Sequence, residues 1–124
     1  MKIKKKPWMY ENLPIFKKAM DLNLYVENAV RGFSRYNKYS IGSELRSQSR
    51  EVLYGIYRAY FAKDKMYAIG KLRDSTEELK IIIHLAQELK VLRDFKQFEI
   101  LSQMARQLAK EAQGWLKSQD YDSI

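Results

Sequence analysis

Apolar residues recur at three- and four-residue spacing in four stretches of the chain, and each stretch predicts an amphipathic helix. In the first, Phe16, Ala19, Met20, Val26, Val30 and Phe33 form one stripe, with Asn23 as its polar exception. Pro14 suits the first turn, where its missing N–H costs nothing, so this helix is predicted over 13–33. The second, over 41–62, carries Ile41, Leu45, Ser49, Val52, Ile56 and Ala59, with Ser40 as its expected N-cap. The third, over 65–91, follows an Asp64 cap and carries Ala68, Ile69, Leu72, Thr76, Leu79, Ile83, Ala86 and Leu89. Asp94 with Gln97 reads as a capping box for the fourth, over 95–117, where Phe98, Leu101, Ala105, Leu108, Ala112, Trp115 and Leu116 repeat the pattern.

Nothing alternates with the period of two that strands require. The joints after the second and third helices are short, which sets neighbouring helices antiparallel. The expected fold is therefore all-α: an antiparallel up-down-up-down four-helix bundle over 12–118, preceded by a basic arm over 1–11. A polar tail over 119–124 is expected to fray.

Composition narrows the chemistry. The 124 residues include two Pro and five Gly, few breakers for so long a run of helix, and 46% hydrophobic residues, enough for a core. With no Cys and one His, disulfides, thiolate catalysis and Cys-ligated metals are excluded. His84 has Ile81 three residues before it and Gln87 three after, so the Glu-x-x-His pattern of di-metal bundles is missing. The helix period sets His84 beside Arg73, Glu77, Lys80 and Glu88, away from the apolar stripe, as a solvated or subunit-contact residue. No catalytic residue, metal, cofactor or small-molecule substrate is nominated, and the chain reads as a non-enzyme. No apolar run approaches the roughly 18 residues of a membrane span. The basic Met1–Lys6 run lacks the apolar stretch of a secretory signal, so a cytoplasmic location and no membrane partner are expected.

Charge adds the functional signal. The net charge is +8, and it is uneven: residues 1–62 hold 12 Lys+Arg and 5 Asp+Glu, a net of +7, whereas residues 63–124 hold 11 and 10, a net of +1. A polyanionic partner for the first half is one reading, and simple solubility the other. On the second helix, the side opposite the core stripe gathers Arg46, Arg50, Tyr54, Tyr57, Arg58 and Phe61. A merely solvated face looks like that of the fourth helix, with Lys96, Glu99, Gln103, Arg106 and Lys110. Guanidinium groups bind phosphate bidentately and aromatic rings stack on unpaired bases. The same residue types mark protein interfaces, so the face serves nucleic acid, another protein, or both at different heights. The candidate nucleic-acid residues are Lys4, Lys5 and Lys6 of the arm, Arg35 and Lys38 of the connector Arg35-Tyr36-Asn37-Lys38-Tyr39, and Arg46, Arg50 and Arg58. The candidate interface residues are Tyr54, Tyr57 and Phe61. The connector's tyrosines either repeat this chemistry or pack back over the end of the bundle.

The segments Phe16–Leu22, Phe33–Tyr39 and Gly42-Ser43-Glu44-Leu45-Arg46 resemble the bacterial four-helix-bundle superfamily. It includes the ribosomal-RNA intervening-sequence proteins and the accessory variability determinant of diversity-generating retroelements. Tyr60-Phe61-Ala62-Lys63-Asp64-Lys65, Leu85-Ala86-Gln87-Glu88-Leu89 and Gly114-Trp115-Leu116-Lys117-Ser118 are similar to the second of these families. The stretch Val52-Leu53-Tyr54-Gly55-Ile56-Tyr57 lacks the Ile-Pro-Ser-Asn-like run of the intervening-sequence branch, and Gln113 stands where a second glycine is common. The resemblance spans about residues 8–118 and rests on dispersed helical positions. It implies a ring-shaped homo-oligomer, a homopentamer, that binds a reverse transcriptase and its template RNA or RNA/DNA and supports mutagenic cDNA synthesis without an active site. The alternatives are an intervening-sequence-type protein and a general basic RNA-binding or structural oligomer.

Overall fold

The structure is a computed structural model that describes residues 9–122. The arm residues Lys4, Lys5 and Lys6 lie outside the described residues. Among those described the protein is all-α: a 3-10 turn at Tyr10–Asn12, then α1 (Pro14–Arg31), α2 (Arg35–Lys38), α3 (Ile41–Phe61), α4 (Lys65–Glu88) and α5 (Phe95–Asp122). None of these helices is long and apolar enough to cross a membrane.

α1 begins on Pro14 as expected, but its buried seam is turned from the predicted stripe. Ile15, Ala19, Leu22, Val26, Ala29 and Val30 are buried, whereas Phe16 is half-buried and Met20 is exposed. Apolar residues stand at both registers, at Ile15 and Phe16 and again at Met20 and Leu22, so the period alone did not choose between them. The neighbouring helices did.

The connector also contains a helical turn that was not expected. Residues Arg35–Lys38 make one turn of helix, with the Ser34 hydroxyl accepting the Asn37 N–H at 3.4 Å. Ser40 therefore does not cap α3 with its side chain; its hydroxyl donates to the Tyr36 carbonyl at 2.9 Å, satisfying an end of α2 that would otherwise lack a donor. Gly42 makes this corner possible. A Cβ there would sit 2.8 Å from the Asn37 carbonyl oxygen and 3.0 Å from Val30 Cγ1.

α3 buries the expected face, including Ser49, whose hydroxyl donates to the Leu45 carbonyl at 2.6 Å. Asp64 caps α4 through the Tyr67 N–H at 3.1 Å. α4 stops at Glu88, before the expected end at 91, because Lys90 turns left-handed at φ 58°. The Lys90 N–H then bonds the Gln87 carbonyl at 2.9 Å and the Val91 N–H bonds the Ala86 carbonyl at 3.1 Å, a Schellman closure built on lysine in place of glycine. Leu89, expected in the core, is thereby left exposed. Asp94 caps α5 through the Gln97 N–H at 2.9 Å, but the Gln97 side chain reaches back to the Arg93 N–H, one residue beyond the reciprocal box. α5 continues to Asp122, past the predicted end at 117, so the described part of the tail is helical; residues 123 and 124 lie outside the described residues.

α1 packs on α3 and α5, and α4 packs on the same two helices. Leu22, Leu45, Ile56, Leu72, Leu79, Leu101 and Leu108 are fully buried between them. The α3–α4 pair runs antiparallel: Gln48 donates to the Ser75 carbonyl at 2.9 Å, Gly55 admits Leu72 beside it, and Lys65 reaches the Ala59 and Tyr60 carbonyls. Lys18 Nζ meets Glu111 Oε2 at 2.7 Å between α1 and α5.

Candidate nucleic-acid and protein interface

A helix that buries every third or fourth residue must turn the residues between them outward. On α3 this projects Arg46, Arg50, Tyr54, Tyr57, Arg58 and Phe61 from the core. The rings are exposed, Tyr54 by 54%, Tyr57 by 49% and Phe61 by 62%. For Tyr and Phe on one helix, that is much apolar area left in water.

The arginines are not free cations. Arg46 Nε and Arg50 Nη2 close on one oxygen of Glu27 from α1, at 3.2 and 2.8 Å. Arg58 pairs with Glu51 two turns back on its own helix. Each carboxylate cancels part of the field a phosphate would feel, and the pairs are solvent-screened. A shallow groove of about 370 Å³ lies among Ser43, Arg46, Ser47, Arg50 and Tyr54. A second, of about 390 Å³, runs between α3 and α4 beside Arg58, Tyr67, Lys71 and Ser75.

Lower on α3 the aromatics form a connected set. Tyr57 and Phe61 ring centroids are 5.1 Å apart, Tyr60 meets Phe61 edge-on at 5.0 Å, and Tyr10 stands perpendicular to Tyr57 at 5.1 Å. Tyr10 also packs edge-on against Phe16 at 5.1 Å. Such T-shaped pairs are worth about 0.5–1.5 kcal/mol each beyond area burial. They hold the outward rings as a stiff surface.

At the other end, Tyr36 and Tyr39 do not pack over the helices; they are 80% and 74% exposed. Among the described residues neither Arg35 nor Lys38 makes an ion pair. The structure thus brings Arg46, Arg50 and Tyr54 together, gathers Tyr57 and Phe61 with Tyr10 and Tyr60, and sets Arg35 and Lys38 apart on α2.

Sequence reasoning missed Glu27 and Tyr10, because their contacts join distant segments and no local spacing reveals them, and it left out Tyr60 although Phe61 stands next to it. It also passed over Ile81 and Leu85, which lie exposed at four-residue spacing on α4, and placed the exposed Leu89 in the core. That spacing was readable. His84 is exposed on α4, with its ring edge-on to Phe98 at 5.4 Å. Among the described residues no three His, Asp or Glu side chains are grouped to hold a metal ion. Compared with known proteins, the chain matches no protein-family model and no curated protein.

Proposed function

We propose that this protein is a non-catalytic accessory factor of a diversity-generating retroelement, binding a reverse transcriptase and template RNA to support mutagenic cDNA synthesis in the cytoplasm. In this reading the long helices form an antiparallel up-down-up-down four-helix bundle, and copies close into a ring, a homopentamer by the family resemblance.

The observation that carries the RNA half of the reading is the division of the basic surface. Arg46, Arg50 and Arg58 bring carboxylates with them, whereas Arg35 and Lys38 stand beside the exposed Tyr36 with no ion-pair partner among the described residues. Cations without a bound carboxylate give the larger gain from counterion release when they meet phosphate. An exposed tyrosine next to them offers a stacking platform for an unpaired base. RNA therefore docks on the α2 end, and the stiff aromatic face of α3 serves protein contact.

Fluorescence anisotropy with labelled single-stranded template RNA, repeated over a salt series, tests this. Arg35→Ala with Lys38→Ala should weaken binding across RNA sequences and flatten the salt slope, since phosphate contacts position without specifying. Unchanged affinity and slope would remove the α2 end as the RNA surface. A protein that binds no RNA even at low salt would be a structural oligomer instead.

A further inference from the structure

The outward faces of α3 and α4 match each other level by level. The contacts of Gln48 with Ser75 and Glu78, of Gly55 with Leu72 and of Lys65 with Tyr60 fix which residues share a height along the antiparallel pair. Arg46 and Arg50 stand at the height of Asp74, Glu77 and Glu78. Tyr54, Tyr57 and Phe61 stand at the height of Gly70, Tyr67 and Met66. Beyond them, Ile81 and Leu85 reach the height of Ser43 and Tyr39.

The chemistry at each height is complementary. Where α3 is cationic, α4 shows three acids: Asp74 and Glu77, which pair with Arg73 and Lys80, and Glu78, which accepts from Gln48 of its own chain. By the helix period their nearby cations Arg73 and Lys80 stand at the edge of that face, as Glu27 and Glu51 do beside α3. Where α3 shows rings, α4 shows the exposed Tyr67 and Met66 beside Gly70, whose missing Cβ leaves open space with nothing within 4 Å. A ring can seat there. Where α3 gives way to the exposed Tyr39, α4 shows the exposed aliphatics Ile81 and Leu85.

We infer that the outward face of α4 is the docking surface for the α3 face of a second copy of this chain. This rests on the ring-forming part of the proposed function and names the two surfaces that join. Rotation about an axis parallel to the helices brings equal heights of neighbouring copies together, which is the pairing these faces favour. Because α3 and α4 are neighbours in one subunit, their faces diverge instead of opposing. A head-to-tail contact repeated between them turns at every copy, and with no shift along the axis such a turn can return to the first copy as a ring. It also leaves Arg35, Tyr36 and Lys38 at one rim, open to RNA.

Light scattering at micromolar concentration tests the pairing, with circular dichroism confirming helix in every variant. Three proteins are compared with wild type: Asp74→Arg with Glu77→Arg; Arg46→Glu with Arg50→Glu and Glu27→Lys, the last keeping the intrachain pair; and a chain with all five changes. The first two should fall to the 14.8 kDa of one chain, and the five-fold variant should return to the wild-type size. Gly70→Lys should also fall to one chain, and lysine is a better helix former than glycine, so that loss is not unfolding. An acid-face variant or a Gly70→Lys protein that keeps the wild-type size overturns the assignment of α4 while leaving the oligomer standing. A helical five-fold variant that stays a single chain overturns the charge pairing. A wild-type protein of one chain overturns the ring and this inference together.

Discussion

Asn23 on α1 donates a side-chain N–H to the main-chain carbonyl of Ser49 on α3 at 2.9 Å. Its other N–H goes to the Ala19 carbonyl one turn back, at 2.8 Å. The polar exception in the first apolar stripe is therefore a tie between helices. It fixes the height of α1 against α3, and one turn further on it leaves Glu27 where Arg46 and Arg50 both reach it. Asn23→Leu keeps the branched shape and the number of side-chain heavy atoms and removes both bonds. The expected cost is about 1 kcal/mol, because the Ser49 carbonyl loses only its partner from α1. Urea unfolding measures it, and an unchanged midpoint would mean the tie contributes nothing.

The register of α4 is tested by a pair of leucines. Leu79 is fully buried among the α3 and α5 side chains and Leu89 is exposed past the helix end. Leu79→Ala should cost about 2–5 kcal/mol, the range for a core leucine whose cavity closes only in part. Leu89→Ala should stay within about 0.5 kcal/mol in the dissociated chain. Equal effects on the thermal midpoint would contradict this placement.

Lys90 holds the left-handed position that ends α4. A Cβ-bearing residue there costs roughly 1–2 kcal/mol in backbone strain, and glycine none. Lys90→Gly should therefore raise stability by about 1 kcal/mol while keeping the Schellman bonds. A lower urea midpoint would show that the lysine side chain contributes more than its backbone costs.

Stability should depend on acid through the cap of α5. The Gln97 N–H bond, and after it the Arg93 side chain, hold the Asp94 carboxyl below its ordinary value of 3.8. A carboxyl lowered on folding stabilises above its unfolded value, and that contribution disappears as the pH falls through the folded one. Asp94→Asn keeps a capping oxygen but cannot titrate. It should lose less of its urea midpoint than wild type when the pH is taken from neutral to below 3.8. Equal losses would show that the cap does not titrate with folding.

Much of the architecture was legible because the apolar period and the caps agree. Ile41 through Ala59 bury as their spacing predicts, and Asp64 and Asp94 both cap as expected. What failed was decided by partners. The seam of α1 was ambiguous because Ile15 and Phe16 offer two registers, and only α3 and α5 choose. The end of α4 was misplaced because a left-handed lysine carries no sequence signal of the kind glycine gives. At the candidate site, the outward set on α3 followed from helix geometry alone. Its electrostatics did not, since Glu27 lies 19 residues before Arg46 and 23 before Arg50.

Reconstituted cDNA synthesis tests the proposed service to a reverse transcriptase on RNA. A reverse transcriptase of a diversity-generating retroelement is supplied with its template RNA, with and without the protein. Extended cDNA is expected with wild-type protein and is expected to be sharply reduced both in its absence and with the Arg35→Ala, Lys38→Ala variant. Equal cDNA yield with and without the protein would contradict it.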